Sequence, residues 1–162
     1  MKITMLSVLI TVFSIIHVPG AAAGKPQAGV KCRAYSIVAT EKKGKLPTDL
    51  MQFKHIFKDM PFKMFGSFRL NTQTSMVLGS KSSVARLSSK LSLHVQLLDR
   101  ILSSRDKRRF RLQLQIKRKN PKNKKKLVTV YSMVMKLSSE KPMFIAGPKE
   151  GGGTLVVGLV CK

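Results

Sequence analysis

The sequence predicts a mainly β protein, an antiparallel sandwich or barrel-like sheet with one short amphipathic helix at about residues 47–60. Residues 91–97 and 110–117 alternate between apolar and polar side chains, and residues 127–137 are rich in β-branched and aromatic residues. A period of two places alternate side chains on opposite faces of a strand, so these runs predict three half-buried strands. Turn-forming residues recur about every 8 to 12 positions, as is typical of antiparallel sandwiches and barrels.

The first 23 residues have the pattern of a secretory signal peptide. Lys2 precedes an apolar run over residues 3–18, and Pro19, Gly20 and three alanines follow it. A charged start, a short apolar stretch and small residues before a cleavage site define such signals. An uncleaved anchor is the alternative, and in both cases residues 24–162 form one domain outside the cytoplasm. We therefore expect a periplasmic or secreted protein.

Five further strands are predicted along the rest of the chain. The last of them is almost continuously apolar, which predicts a central strand buried on both faces. Residues 100–109 are predicted as an exposed link, and the glycine-rich residues 147–153 as a loop. The other predicted strands are residues 30–40, 67–78, 82–87 and the short apolar piece 143–146, and the last strand is residues 154–161.

One segment has the spacing of a helix. Leu50, Phe53, Ile56, Phe57 and Met60 recur at three- and four-residue steps, which places them on one apolar stripe. Pro47 suits the first turn of a helix, and Pro61 ends it because a residue before proline is pushed out of the helical region. Five of the eight phenylalanines lie between residues 53 and 68, so the segment is predicted to cover a sheet face rather than to hold an aromatic ligand.

The two cysteines are predicted to form a disulfide. Cys32 lies in the first predicted strand and Cys161 in the last, and exported proteins commonly pair their cysteines. The bridge would join the two ends of the fold if those strands are neighbours. Two buried free thiols are the alternative.

The charge of the chain is strongly positive. It contains 31 Lys and Arg against 7 Asp and Glu, and residues 105–126 contribute 12 bases and one acid. Without the leader, which carries one lysine, the net charge is +23. Such an excess favours anionic partners through steering and counterion release, although solubility alone explains it equally well. The predicted polyanion-binding residues are Arg108, Arg109, Arg111, Lys117, Arg118, Lys119, Lys122, Lys124, Lys125 and Lys126.

The nature of the partner follows from the compartment and from the aromatic content. The chain has two tyrosines and no tryptophan, so it lacks the stacking platform of single-stranded nucleic acid binders. Export also argues against nucleic acid. An anionic envelope polymer, lipid head groups or an acidic protein fit better. The alternative is a structural or assembly protein of the envelope, in which a sheet edge recruits another subunit and the lysines only guard that edge.

No catalytic or metal-binding motif is apparent. His55 and His94 have no second ligand at a recognisable spacing, and no cofactor is predicted. The glycine-rich loop has Lys149 before its glycines and opens onto a strand, unlike a phosphate-binding P-loop. A hydrolase with a pair of carboxylates remains a third hypothesis, which requires two acids converging in one cleft.

Several short motifs resemble a group of exported proteins. They are LPTDL at residues 46–50, MPFKMF at residues 60–65, FIAGP at residues 144–148 and GGTLV at residues 152–156. The combination is similar to that of small uncharacterised exported proteins of Gram-negative bacteria, in which a short helix ends in Pro-Phe-x-x-Phe and a β-rich domain follows. The resemblance implies a compartment and a fold, and no activity.

Overall fold

The computed structural model describes residues 29–102, 108–123 and 126–162. The predicted signal peptide lies outside these residues. Eight strands form two four-stranded antiparallel sheets. The strands are β1 (Val30–Thr40), β2 (Ser67–Leu78), β3 (Ser83–Arg86), β4 (Leu91–Leu102), β5 (Arg108–Lys119), β6 (Leu127–Ser138), β7 (Met143–Glu150) and β8 (Gly153–Cys161).

Sheet I has the strand order β2-β1-β8-β7, and sheet II has the order β3-β4-β5-β6. The predicted β sandwich is confirmed, because the inner faces of the two sheets form one core. Sheet II contributes the alternating residues of β4 and β5, such as Leu93, Leu112 and Leu114, all at most 1% exposed. Sheet I contributes Leu155, Val157 and Leu159 from β8, among others.

A helical layer, residues 48–64, covers part of the outer face of sheet I. A 3-10 turn (Thr48–Phe53) continues into a four-residue helix α1 (Lys54–Phe57), and a second 3-10 turn (Phe62–Met64) follows. The predicted helix thus ends at Phe57 and not near residue 60, and Met60 is 74% exposed instead of continuing the apolar stripe.

The phenylalanines of this layer pack against sheet I, as predicted. Phe57 stacks on Phe68 with ring centroids 4.2 Å apart and meets Phe144 edge-on at 5.1 Å. Gly158 in the central strand β8 makes room for the Phe144 ring, which a Cβ at that position would strike. This second core holds the helical layer to the sheet.

The cysteines form a disulfide, Cys32–Cys161. β1 and β8 are neighbours, and the two cysteines are directly opposite each other in the antiparallel pairing. β8 lies between β1 and β7, and its residues 155–159 are all buried. The prediction of a central last strand bridged to the first is therefore confirmed.

Three connections or strands differ from the prediction. β4 extends to Leu102 and β5 begins at Arg108, so strand pairing takes up half of the predicted link 100–109, and residues 103–107 lie outside the described residues. β7 extends to Glu150, and the predicted loop shrinks to a turn at Gly151 and Gly152, which have φ of +58° and +80°. Both glycines adopt the left-handed backbone that favours glycine.

The third difference concerns β6, which is half-buried only in its second part. Met135 and Leu137 are buried, but residues 127–132 are all exposed. β6 is an edge strand, and the inter-sheet core does not extend to its first half. Alternation in the sequence cannot show this, because it indicates which side chains share a face and not whether another layer covers that face.

Candidate functional site

The predicted basic residues of β5 divide between its two faces. The even-numbered residues Phe110, Leu112, Leu114 and Ile116 are buried in the inter-sheet core. Successive side chains of a strand alternate between faces, so the odd-numbered residues lie on the outer face of sheet II. The predicted bases on that outer face are Arg109, Arg111, Lys117 and Lys119. Arg108 and Arg118 share the parity of the core residues, and they lie at the two ends of the strand.

Neighbouring strands add two bases that the sequence analysis missed. Lys136 of β6 is directly opposite Arg111 in the strand pairing, and Asp99 of β4 is opposite Arg111 on the other side. Arg86 of β3 pairs with Ser92, which in turn pairs with Lys117. The outer face of sheet II thus collects six bases and one acid among the residues that the structure describes. Only the strand register adds Arg86 and Lys136 to this face, because both are distant from β5 in the sequence.

The six bases form two groups at opposite ends of the face. Arg109, Arg111 and Lys136 form the first group, and Arg86, Lys117 and Lys119 form the second. Arg111 and Lys117 are six residues apart on one strand, which corresponds to about 20 Å at roughly 3.3 Å per residue. The interval between the groups is polar. It holds the half-buried side chains of Gln96, Gln113, Gln115 and His94, together with the exposed Ser132 and Val134.

The second group adjoins the tip of the β5–β6 hairpin. The Asn120 Oδ1 accepts hydrogen bonds from the backbone N–H of Lys122 at 2.9 Å and of Asn123 at 3.4 Å. The Asn120 N–H bonds to the carbonyl of Lys126 at 2.9 Å, which closes the turn. Lys122 and Lys126 are exposed on this tip, whereas Lys124 and Lys125 lie outside the described residues.

A shallow cleft of about 230 Å³ lies beside this tip. Arg86, Lys90 and Lys119 line it together with Ser88 and Ser92. The backbone N–H of Lys119 donates to the carbonyl of Lys90 at 3.0 Å, which holds the β3–β4 turn against the end of β5. Three cationic side chains around a small cleft can hold one phosphate, sulfate or carboxylate group.

His94 lies in the polar interval between the two basic groups. Its Nε2 is 3.2 Å from the Ser92 Oγ. Partial burial lowers the pKa of His94, and the positive charge of Lys117 lowers it further. The imidazole is therefore kept neutral near pH 7 and can serve this face as a hydrogen-bonding group.

Two carboxylates lie in one cleft at the end of the sandwich. Glu41 and Glu150 line one cleft of about 960 Å³ with Lys42, Lys90 and Lys149. Ser88 donates its hydroxyl to the Glu150 carboxylate at 3.0 Å. The three lysines outnumber the two carboxylates, so the described lining of this cleft has a net positive charge. Within residues 29–102, 108–123 and 126–162, no group of three His, Cys, Asp or Glu residues is arranged to hold a metal ion.

No protein-family model matches the sequence, and no curated protein or solved structure matches it significantly. The described part of the chain contains no helix of the length and hydropathy needed to cross a membrane.

Proposed function

We propose that the protein is a non-catalytic exported module that binds an extended anionic polymer of the cell envelope along the outer face of sheet II. The observation that carries the proposal is the collection of six bases and one acid on this face from four different strands. The leader-like residues 1–23, the disulfide and the resemblance to exported proteins support the compartment.

The spacing of the basic groups favours a polymer over a single head group. One phosphate or carboxylate can contact only one group, because the two groups are about 20 Å apart. A chain that carries repeated negative charges contacts both and releases more counterions. The glutamines and serines between the groups can hydrogen-bond to the neutral parts of such a chain.

The chemistry of the face also distinguishes this polymer from a nucleic acid. The outer face of sheet II carries no aromatic side chain among its described residues, and Tyr131 of β6 has the parity of the core residues. Single-stranded nucleic acid binders stack bases on aromatic rings. Binding here would instead depend on charge and on hydrogen bonds.

The proposal is tested with heparin as a polysulfated probe. A variant with Arg109→Gln, Arg111→Gln and Lys136→Gln removes the first basic group. A control with Lys54→Gln, Lys58→Gln and Lys63→Gln removes three exposed lysines of the helical layer and has the same net charge. We expect the first variant to bind more weakly, with the salt slope of log K reduced by about two to three, roughly one per lost contact.

The control should keep both the affinity and the slope of the unmodified protein. Equal losses in the two variants would show that net charge alone drives binding, and would overturn the proposal. Neutralising Lys122, Lys124, Lys125 and Lys126 together should weaken binding further, because Lys122 and Lys126 lie at the hairpin tip that adjoins the second group and all four lysines add to its charge in the sequence. Binding that is unaffected by those four changes would exclude the hairpin tip from the site.

A second candidate function is assembly with another envelope protein through β6. This strand has a free edge, and its residues Leu127, Val128, Val130 and Tyr131 are 36% to 44% exposed. An extended segment of a partner can add to such an edge by main-chain hydrogen bonds. Salt-insensitive capture of a partner would favour this candidate.

A further inference from the structure

A third cleft lies on the outer face of sheet I, on the side of the sandwich opposite the outer face of sheet II. The helical layer covers only one part of that face, so the uncovered part forms the floor of an open cleft of about 660 Å³. Gln52, Phe53 and His55 of the helical layer form one wall. Glu140 and Pro142, which precede β7, form another.

Three cations lie on or beside the floor of this cleft. Lys31 and Arg33 alternate with buried residues along β1, so both side chains lie on the outer face. Lys162 follows β8, and its backbone N–H donates to the carbonyl of Lys31 at 2.9 Å. All three side chains are exposed. Among the described residues that line the cleft, Glu140 is the only acid, so their net charge is positive.

The lining also contains several apolar side chains among its polar ones. Val160 of β8 lies directly beside Arg33 in the strand pairing, and Val77 of β2 lies beside Lys31. Val77 is 61% exposed, so its side chain is accessible from the cleft. At the inner end Tyr35 packs edge-on against Phe53 with ring centroids 5.1 Å apart. The outer-face residues of β1 run in the order Lys31, Arg33, Tyr35. The cations therefore lie toward one end of the cleft and the aromatic rings toward the other, while Val77 and Val160 lie beside the cations.

We infer that this cleft binds a single-chain amphiphilic anion, with its carboxylate or phosphate on Lys31, Arg33 and Lys162 and its hydrocarbon chain toward Val160, Tyr35 and Phe53. The volume lies within the roughly 300–1,000 Å³ of small-molecule sites, which combine an apolar lining with a few polar groups that fix orientation. A matched head group gains charge-assisted hydrogen bonds, and burial of the chain removes apolar surface from water. The site shares no residue with the outer face of sheet II, so it is independent of the proposed polymer binding.

The test uses dodecanoate below its micellar concentration, measured by calorimetry on the purified protein from an exporting host. Dodecyl maltoside supplies the same chain without charge, and acetate supplies the head group without the chain. We expect dodecanoate to bind at a stoichiometry of about one per protein, and each of the other two probes to bind at least tenfold more weakly. Equal affinity for dodecanoate and dodecyl maltoside would overturn the inference.

Amino-acid substitutions test whether dodecanoate binds in this cleft. Lys31→Gln, Arg33→Gln and Lys162→Gln together should weaken dodecanoate binding at least tenfold, whereas the Lys54→Gln, Lys58→Gln, Lys63→Gln control should leave it unchanged. An unchanged urea-unfolding midpoint shows that the cleft variant is folded. Unchanged heparin binding separates this test from that of the outer face of sheet II. A cleft variant that binds dodecanoate as tightly as the unmodified protein would place the ligand elsewhere and overturn the inference.

Phosphatidylglycerol vesicles distinguish a soluble ligand from a membrane lipid. A basic protein adsorbs to any anionic surface. The informative quantity is therefore the difference in vesicle affinity between the cleft variant and the lysine control. Loss of both dodecanoate and vesicle binding in the cleft variant alone assigns the cleft to lipid in a membrane. Loss of dodecanoate binding alone assigns it to a free amphiphile.

Discussion

The pKa of His94 depends on the residues around it on the outer face of sheet II. Val84 of β3 and Gln115 of β5 are its cross-strand partners, Ser92 is its hydrogen-bonding neighbour, and Lys117 lies diagonally across on β5. None of these four residues is acidic. Partial burial and the charge of Lys117 both disfavour the imidazolium and lower the pKa of His94.

The lowered pKa makes the stability of the protein depend on pH. The unfolded chain takes up a proton on His94 near its ordinary value of 6.5, while the folded protein takes it up at lower pH. The unfolded state therefore binds more protons between these two values, and the contribution of His94 to stability is present above 6.5 and falls as the pH is lowered through this window. Urea unfolding at pH 7.5 and at pH 5 should show a smaller loss of stability in His94→Gln than in the unmodified protein. Identical losses in both proteins would contradict this assignment.

At the scale of elements, the sequence predicted most strands, but it did not predict which parts of them are covered or which residues of other strands lie beside them. Strict alternation located β4 and β5, and it placed Arg111 and Lys117 on one face of β5. The exposed half of β6 was missed because coverage depends on the packing of two sheets. Arg86 and Lys136 were missed because they join the site through strand pairing with distant parts of the chain.

The hydrogen-bond partners of buried polar residues also come from distant parts of the chain. Ser36 is 1% exposed in a strand that the sequence predicts to be mostly apolar. Its hydroxyl donates to the carbonyl of Leu87 at 2.7 Å, and the Asn71 side chain donates to the same carbonyl at 2.6 Å. These bonds tie sheet I to the chain that follows β3. The partner of Ser36 is 51 residues away, so no local pattern could identify it.

The free edge of β6 leads to a prediction about association. A lysine in the middle of an edge strand opposes the addition of another strand, since the incoming backbone would have to bury its charge. Val130→Lys should therefore abolish capture of a salt-insensitive partner by the immobilised protein. Heparin affinity should be unchanged or slightly higher, because the variant adds positive charge near the second basic group. Capture that survives Val130→Lys would exclude β6 as the assembly surface.

At the scale of the whole molecule, the fold brings distant segments together in the centre of one sheet. β1 and β8 are adjacent although Cys32 and Cys161 are 129 positions apart. The positive charge of the chain opposes this compaction by self-repulsion. The disulfide counteracts the repulsion because it limits the expansion of the unfolded chain.

The length of the loop that the disulfide closes determines how much stability we expect the disulfide to contribute. In the chain-entropy model, a loop of this length corresponds to about 5 kcal/mol of stability at 25 °C. Joint Cys32→Ala and Cys161→Ala substitution should lower the free energy of unfolding by roughly this amount, and urea titration at 150 mM salt measures it. Lower salt should deepen the loss, since repulsion between distant charges is then less screened. A loss below about 1 kcal/mol would mean that the unbridged unfolded chain is already compact, so that the bridge has little chain entropy to remove.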